Sequence, residues 1–143
     1  MTIESMCAQD TFEFGRMLGK KLTPGSVVCL SGDLGTGKTI FSKGLAKGLG
    51  IEEPVVSPTF TIVQEYTTGR LPLYHFDTYR IADPEEMYEI GFDDYLYGNG
   101  ICLIEWPEMV QELLPPKRLE LKIEKNPENG FDYRRITLEE IKG

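Results

Sequence analysis

The sequence predicts an α/β fold in which helices flank a sheet of mixed parallel and antiparallel strands. Three observations carry that prediction. Two short runs, Val27-Val28-Cys29-Leu30 and Ile101-Cys102-Leu103-Ile104, are wholly apolar, as strands covered on both faces of a parallel sheet must be. Helical spacing of apolar residues precedes and follows the first run, the alternation from which parallel sheets are built. Later, residues 119–123 alternate apolar with polar side chains, and residues 135–138 follow across Asn129-Gly130 as a hairpin partner.

The elements follow in order. Residues 10–22 carry Phe12, Phe14, Met17, Leu18 and Leu22, and Asp10 followed by Glu13 reads as a capping box, so a helix is expected until Pro24-Gly25. The strand at 27–30 comes next, and the glycine-rich stretch 32–37 is a loop. Residues 39–49 resume helical spacing through Phe41, Leu45, Ala46 and Leu49, with Gly50 as the stop. Beyond Pro54, residues 60–66 and 71–76 read as two strands joined around Thr68-Gly69-Arg70. Asp83-Pro84-Glu85-Glu86 offers a cap, a proline at the first helical position and a glutamate at the third, which starts a helix. The strand at 101–104 is closed by Glu105-Trp106-Pro107. No repeat, low-complexity tract or linker is visible, so residues 1–143 are expected to form a single domain.

Composition narrows the function classes. At 143 residues and 41% hydrophobic, the chain suffices for one core. No apolar run approaches the roughly 20 residues of a membrane span, and residues 1–5 show no secretory signal. Cys7, Cys29 and Cys102 are scattered, the last two inside apolar strands; they read as buried free thiols in a reducing cytoplasm. The net charge is −8, and the basic residues come in pairs rather than in one stripe. Binding to nucleic acid depends on neutralising phosphates, so any nucleic acid this chain serves is expected to be held by a partner.

Residues Gly32-Asp33-Leu34-Gly35-Thr36-Gly37-Lys38-Thr39 match the pattern Gly-x-x-x-x-Gly-Lys-Ser/Thr, following a strand and opening a helix. Glycines let the backbone curl until successive N–H groups converge on phosphate oxygens, and the helix N-terminus adds partial positive charge. Asp33, Leu34, Gly35, Thr36 and Gly37 are therefore candidates to cradle phosphates. Lys38 is placed to reach the β- and γ-phosphates, and the Thr39 hydroxyl to ligate magnesium. The fold expectation sharpens to a P-loop NTPase domain, with ATP as substrate and Mg2+ as cofactor. Adenine is favoured over guanine by elimination, since no Asn-Lys-x-Asp signature is present.

Phosphoryl transfer also needs a carboxylate near the metal or the attacking water. Glu105 and Asp77 each close an apolar strand-like run, and ligands of parallel sheets gather at the C-terminal strand ends. Glu105 is either a metal carboxylate, directly or through water, or a solvated strand end; Asp77 is either a second acidic group of the site or a turn residue. Thr59, in Ser57-Pro58-Thr59-Phe60, either senses the γ-phosphate through its hydroxyl or opens a strand.

Taken in order, the loop as GDLGTGKT, SPTF at 57–60, HFDTYR at 75–80 and LIEW at 103–106 resemble the bacterial tRNA threonylcarbamoyladenosine biosynthesis family TsaE, also called YjeE. The resemblance runs over roughly residues 10–136, and the motifs depart only at Thr36, where the family often has alanine. It implies a P-loop ATPase acting with TsaB and TsaD, of which TsaD transfers the threonylcarbamoyl group to the adenosine beside the anticodon. It also implies phosphate and magnesium roles for Lys38 and Thr39, a magnesium role for Glu105, activity-linked roles for Asp77 and Trp106, and adenine near residues 9–11, with Thr11 the candidate.

Other features read more plainly. His75, the only histidine, is structural before it is a general base, because P-loop hydrolysis needs only a positioned water. The seven tyrosines show no repeat of a base-stacking platform. Arg134 and Arg135 point to opposite sides of a strand, so at most one faces a ligand. Two rival readings remain, a small-molecule kinase and a non-hydrolysing nucleotide-dependent scaffold.

Overall fold

The computed structural model describes residues 1–33, 35–58 and 61–142. Its strands are β1 (Thr2–Ser5), β2 (Val27–Ser31), β3 (Val63–Tyr66), β4 (Leu73–Asp77), β5 (Ile101–Glu105), β6 (Lys117–Lys125) and β7 (Arg134–Lys142). Its α-helices are α1 (Ala8–Lys21), α2 (Lys38–Gly48), α3 (Glu86–Glu89) and α4 (Phe92–Leu96), and Pro107–Leu113 forms a 3-10 segment. The strands make one seven-stranded sheet in the order β1-β7-β6-β2-β5-β4-β3. β2 runs parallel to both β5 and β6, and β4 parallel to β5. The β3–β4, β6–β7 and β1–β7 pairs are antiparallel. This is the mixed α/β sheet expected.

The apolar runs make sense once both faces are seen. Side chains alternate across a strand. Val28, Leu30, Ile101 and Leu103 therefore face α1 and α2, where they pack with Phe41, Leu45, Ala46 and Leu49. Val27, Cys29, Cys102 and Ile104 face the other way, with Phe76, Met87, Phe92, Leu96 and Val110. Neither face of β2 or β5 meets water, so neither strand has a use for a polar residue before its end.

The α1–α2 contact is made by backbone. A methyl group at Gly44 or Gly48 would overlap the carbonyl oxygen of Phe12 or Arg16, and one at Gly15 or Gly19 would overlap that of Phe41 or Leu45. Each helix thus carries a pair of glycines four residues apart, and the two pairs interlock. Arg70 ties the β3–β4 hairpin to the same unit by donating to the Gly19 and Leu22 carbonyls at 2.6 and 2.9 Å.

Several local expectations are corrected. α1 begins at Ala8, with Cys7 as a cap lacking a side-chain bond. Asp10 is not the cap; from inside the first turn its carboxylate accepts the Met6 amide at 3.0 Å, and Glu13 pairs with Arg16 instead. The Asp83 start is displaced as well: α3 begins at Glu86 with Glu85 as a cap lacking a side-chain bond, and the Asp83 carboxylate accepting the Glu85 amide and the Glu86 carboxylate accepting the Asp83 amide shape the turn before the helix. The helix it opens is short, because Gly91 turns the chain through positive φ between α3 and α4. β1 has no counterpart among the elements that the sequence pattern predicts. β3 begins at Val63, later than expected. No helix among the described residues is long and apolar enough to cross a membrane.

Two predictions follow from this packing. Gly44→Ala would gain about 1 kcal/mol from helix propensity alone, but overpacking against the Phe12 carbonyl costs about 1–3 kcal/mol or more. Denaturant unfolding should therefore show a net loss of stability; a gain would mean the helices can separate freely. Burial pushes the Cys29 and Cys102 thiols up to about 12, whereas Cys7 is exposed. A disulfide reagent at pH 8 should label Cys7 alone in the folded protein and all three cysteines after denaturation.

Candidate functional site

The loop leaves β2 after Ser31 and enters α2 at Lys38. Its turns use backbone that L side chains rarely adopt: φ is +79° at Gly35 and +101° at Gly37. At Gly32 a side chain would also strike the Ile123 carbonyl and the Thr36 hydroxyl. Thr36 turns inward, its hydroxyl donating to the Asp33 carbonyl at 2.8 Å. Asp33 and Gly35 are exposed, while Thr39 presents itself at the surface of the first turn of α2. Leu34, expected among the phosphate-cradling residues, lies outside the described residues, as does Thr59 with its expected phosphate-sensing hydroxyl.

Lys38 is only 7% exposed, yet its ammonium has no hydrogen-bond partner among the described residues. It lies 4.0 Å from the centroid of the Trp106 ring. A cation–π contact offsets part of the desolvation of a buried ammonium but satisfies none of its donors. A buried, donor-rich cation at the mouth of a glycine loop is suited to receive an anion.

Sheet register brings the acidic groups together at adjoining strand ends. Leu30 on β2 stands beside Glu105 on β5, and Glu105 beside Asp77 on β4. Both carboxylates are nearly buried, at 6% and 8% exposure. The Glu105 carboxylate meets His75 Nε2 at 2.6 Å, and His75 Nδ1 has no partner among the described residues. The Glu105 carboxylate can only accept, so the hydrogen of this contact is assigned to Nε2. His75 is therefore a donor that aims Glu105, as well as a packed strand residue. Asp77 Oδ1 accepts the Tyr79 amide at 3.0 Å.

Trp106 is held by strain. Its backbone is left-handed, at φ +59°, which is uncommon for a large side chain, and the following Pro107 disfavours the right-handed helical alternative. Thr78 locks the turn: its hydroxyl donates to the Glu105 and Trp106 carbonyls at 2.9 and 2.6 Å. Tyr79 packs on the indole at 4.8 Å between centroids. The Thr and Tyr of the HFDTYR motif thus serve the strand end next door, a role that their sequence positions do not reveal.

Cavities flank the loop. One of about 490 Å³ is lined by Asp33, Thr36, Trp106, Glu108, Lys122 and Lys125 among others. Another of about 190 Å³ is lined by Thr11, Gly35, Thr36, Gly37, Ile40 and Arg134 among others. Thr11 is buried, its hydroxyl 2.7 Å from that of Ser5, and it lines a different cavity from Trp106. Among the described residues no cluster of three His, Cys, Asp or Glu forms a metal cage. The oxygen donors present, the Thr39 hydroxyl with the Glu105 and Asp77 carboxylates, fit magnesium, which is commonly held by one or two carboxylates together with phosphate.

The sequence and the fold are similar to those of known proteins. Residues 5–136 match the model of the family "Threonylcarbamoyl adenosine biosynthesis protein TsaE". The chain is 46% identical over 129 residues to the tRNA threonylcarbamoyladenosine biosynthesis protein TsaE of Bacillus subtilis, covering 90% of this chain and 78% of that one. It is 51% identical over 115 residues to the protein of that name from Treponema pallidum, covering 80% and 84% of the two chains. The crystal structure of YdiB from Bacillus subtilis superposes with a TM-score of 0.86 at 39% identity, over 99% of this chain and 86% of that one.

The His75–Glu105 link makes a prediction independent of any activity. His75→Phe leaves a buried carboxylate without its donor, and hydrogen bonds to charged groups contribute about 1.5–3 kcal/mol. In a double-mutant cycle of unfolding free energies, His75→Phe and Glu105→Gln should couple by about that amount. Simple additivity would show that the two side chains do not support each other.

Proposed function

This chain belongs to the TsaE family, and on that premise we propose that it is a magnesium-dependent ATPase supporting threonylcarbamoyladenosine modification of tRNA. The observation that carries the reading is the buried Lys38 ammonium at the loop, which has no hydrogen-bond partner among the described residues. ATP would bind with its phosphates on the loop residues Asp33, Leu34, Gly35, Thr36 and Gly37. Lys38 would exchange the Trp106 face for β- and γ-phosphate oxygens, and the cavity beside Thr11 would take the nucleoside.

Thr39 and Glu105 are the residues assigned to magnesium, which when bound neutralises charge on the phosphates. His75 keeps the Glu105 carboxylate aimed, and Asp77 is assigned to orient the attacking water. Trp106 closes the site over Lys38, and Thr59 is assigned to the γ-phosphate. In this reading hydrolysis needs no covalent intermediate on the protein; positioning and charge stabilisation do the chemistry.

TsaB and TsaD are the proposed partners, and the setting is the cytoplasm. A net charge of −8 supports leaving the tRNA to those partners, since a chain that is itself polyanionic gains nothing from phosphate contacts.

The test is ATP hydrolysis by the purified protein, alone and with TsaB and TsaD. Slow turnover that changes with the partners, and is lost in Glu105→Gln with ATP binding intact, is the expected result. Brisk turnover indifferent to the partners, or sustained transfer of phosphate to a metabolite, would overturn the proposal. Lys38→Ala should weaken ATP binding by roughly tenfold or more. Thr39→Ala should make binding less dependent on magnesium in a calorimetric titration.

A further inference from the structure

Arg134 lies almost a hundred residues beyond the phosphate loop, at the start of β7, yet its guanidinium bonds to the loop's own backbone. Nε donates to the Thr36 carbonyl at 2.9 Å and Nη2 to the Gly35 carbonyl at 3.4 Å. Nη1 donates to the Phe131 and Tyr133 carbonyls at 2.9 and 2.7 Å. One side chain therefore clamps two carbonyls of the loop to two of the β6–β7 connection. From these contacts we propose that Arg134 is a positioning residue that sets the phosphate loop in its anion-receiving conformation.

The physical reason lies in the peptide unit. A trans peptide is planar, with its C=O and N–H pointing in opposite directions. Holding the Thr36 carbonyl toward Arg134 aims the Gly37 N–H away from Arg134. Holding the Gly35 carbonyl does the same for the Thr36 N–H, which in this structure closes a long 3.4 Å turn bond to Asp33. Gly35 and Gly37 both sit at positive φ, and glycine populates many other conformations as readily. A loop this permissive needs an external tie if its amides are to be oriented before the ligand arrives, and preorganisation of this kind lowers the entropy lost on binding.

Arginine suits the task. Its planar fork presents donors in several directions at once and stays charged at any ordinary pH. A lysine would keep the charge yet could not span carbonyls on both sides of the gap. Arg135, the next residue, projects to the opposite face of β7 and serves as the control.

The inference rests on the proposal that this loop binds a triphosphate, and the experiment separates the two. Calorimetry on the wild type, Arg134→Lys, Arg134→Gln and Arg135→Lys would use magnesium ATP and, separately, magnesium tripolyphosphate, which has no base or sugar. A brace predicts that both Arg134 variants lose affinity for the two ligands by the same factor, roughly tenfold, while Arg135→Lys does not. Loss for ATP alone would mean that Arg134 contacts the nucleoside, and full rescue by lysine would mean that only its charge matters; either overturns the brace.

A second readout needs no ligand. In the free protein, the amide NMR signals of Gly35 and Gly37 should shift in Arg134→Lys and stay in place in Arg135→Lys, with the β2 and β5 signals unchanged. Unmoved loop signals would overturn the inference. If the wild type bound neither ligand, the triphosphate reading would fail while this readout still decided the brace.

Discussion

The seam between α1 and α2, where glycines let two helix backbones touch, sets the frame on which the site is built. α2 begins with Lys38 and Thr39, and α1 carries Thr11 near its start. Because backbone rests on backbone, no rotamer change can alter the spacing of the two helices. The distance from Lys38 to the cavity beside Thr11 is thereby made a property of the main chain. Helix interiors lose stability through glycine, and here close packing offsets that loss.

The opposite side of the site is organised by hydrogen bonds instead. Register alone delivers Asp77, Glu105 and Leu30 to neighbouring strand ends. Two side chains from the β4 segment then refine the position of β5: His75 aims the Glu105 carboxylate, and the Thr78 hydroxyl holds the left-handed turn at Trp106. The loop therefore sits between a rigid wall of packed helices and a wall whose geometry depends on a few buried polar contacts. Such contacts are unforgiving, since a buried group that loses its partner bears the full desolvation penalty.

Much of this was legible in the sequence, and the limits have physical causes. β2 and β5 were readable because both faces are covered, which leaves an uninterrupted apolar run. The phosphate loop was readable because nearly every position in it has a separate chemical reason. β1 was not, since four residues acquire meaning only by pairing with β7 at the other end of the chain. The paired glycines were visible as letters, but propensity treats glycine as a helix breaker, and the compensation lies on a different helix. His75 read as structural, and its link to Glu105 depended on a strand register that composition does not reveal. Asp10 was placed at the helix boundary, whereas the chain enters the helix earlier and uses its carboxylate from within.

The clamp on the loop comes from the last strand of the sheet, and this has a consequence for synthesis. Ribosomes release the chain from its N-terminus, and contacts between distant segments form late because loop closure must precede them. α1, β2, the loop and α2 can assemble while β7 is still untranslated, and the Gly35 and Thr36 carbonyls then have no guanidinium to meet. The same strand supplies the partner of β1, through pairs such as Ile3 with Ile136. Completion of the sheet edge and tightening of the loop thus arrive together, so a nascent or truncated chain lacking β7 would have an α1–α2 core and a loose glycine loop.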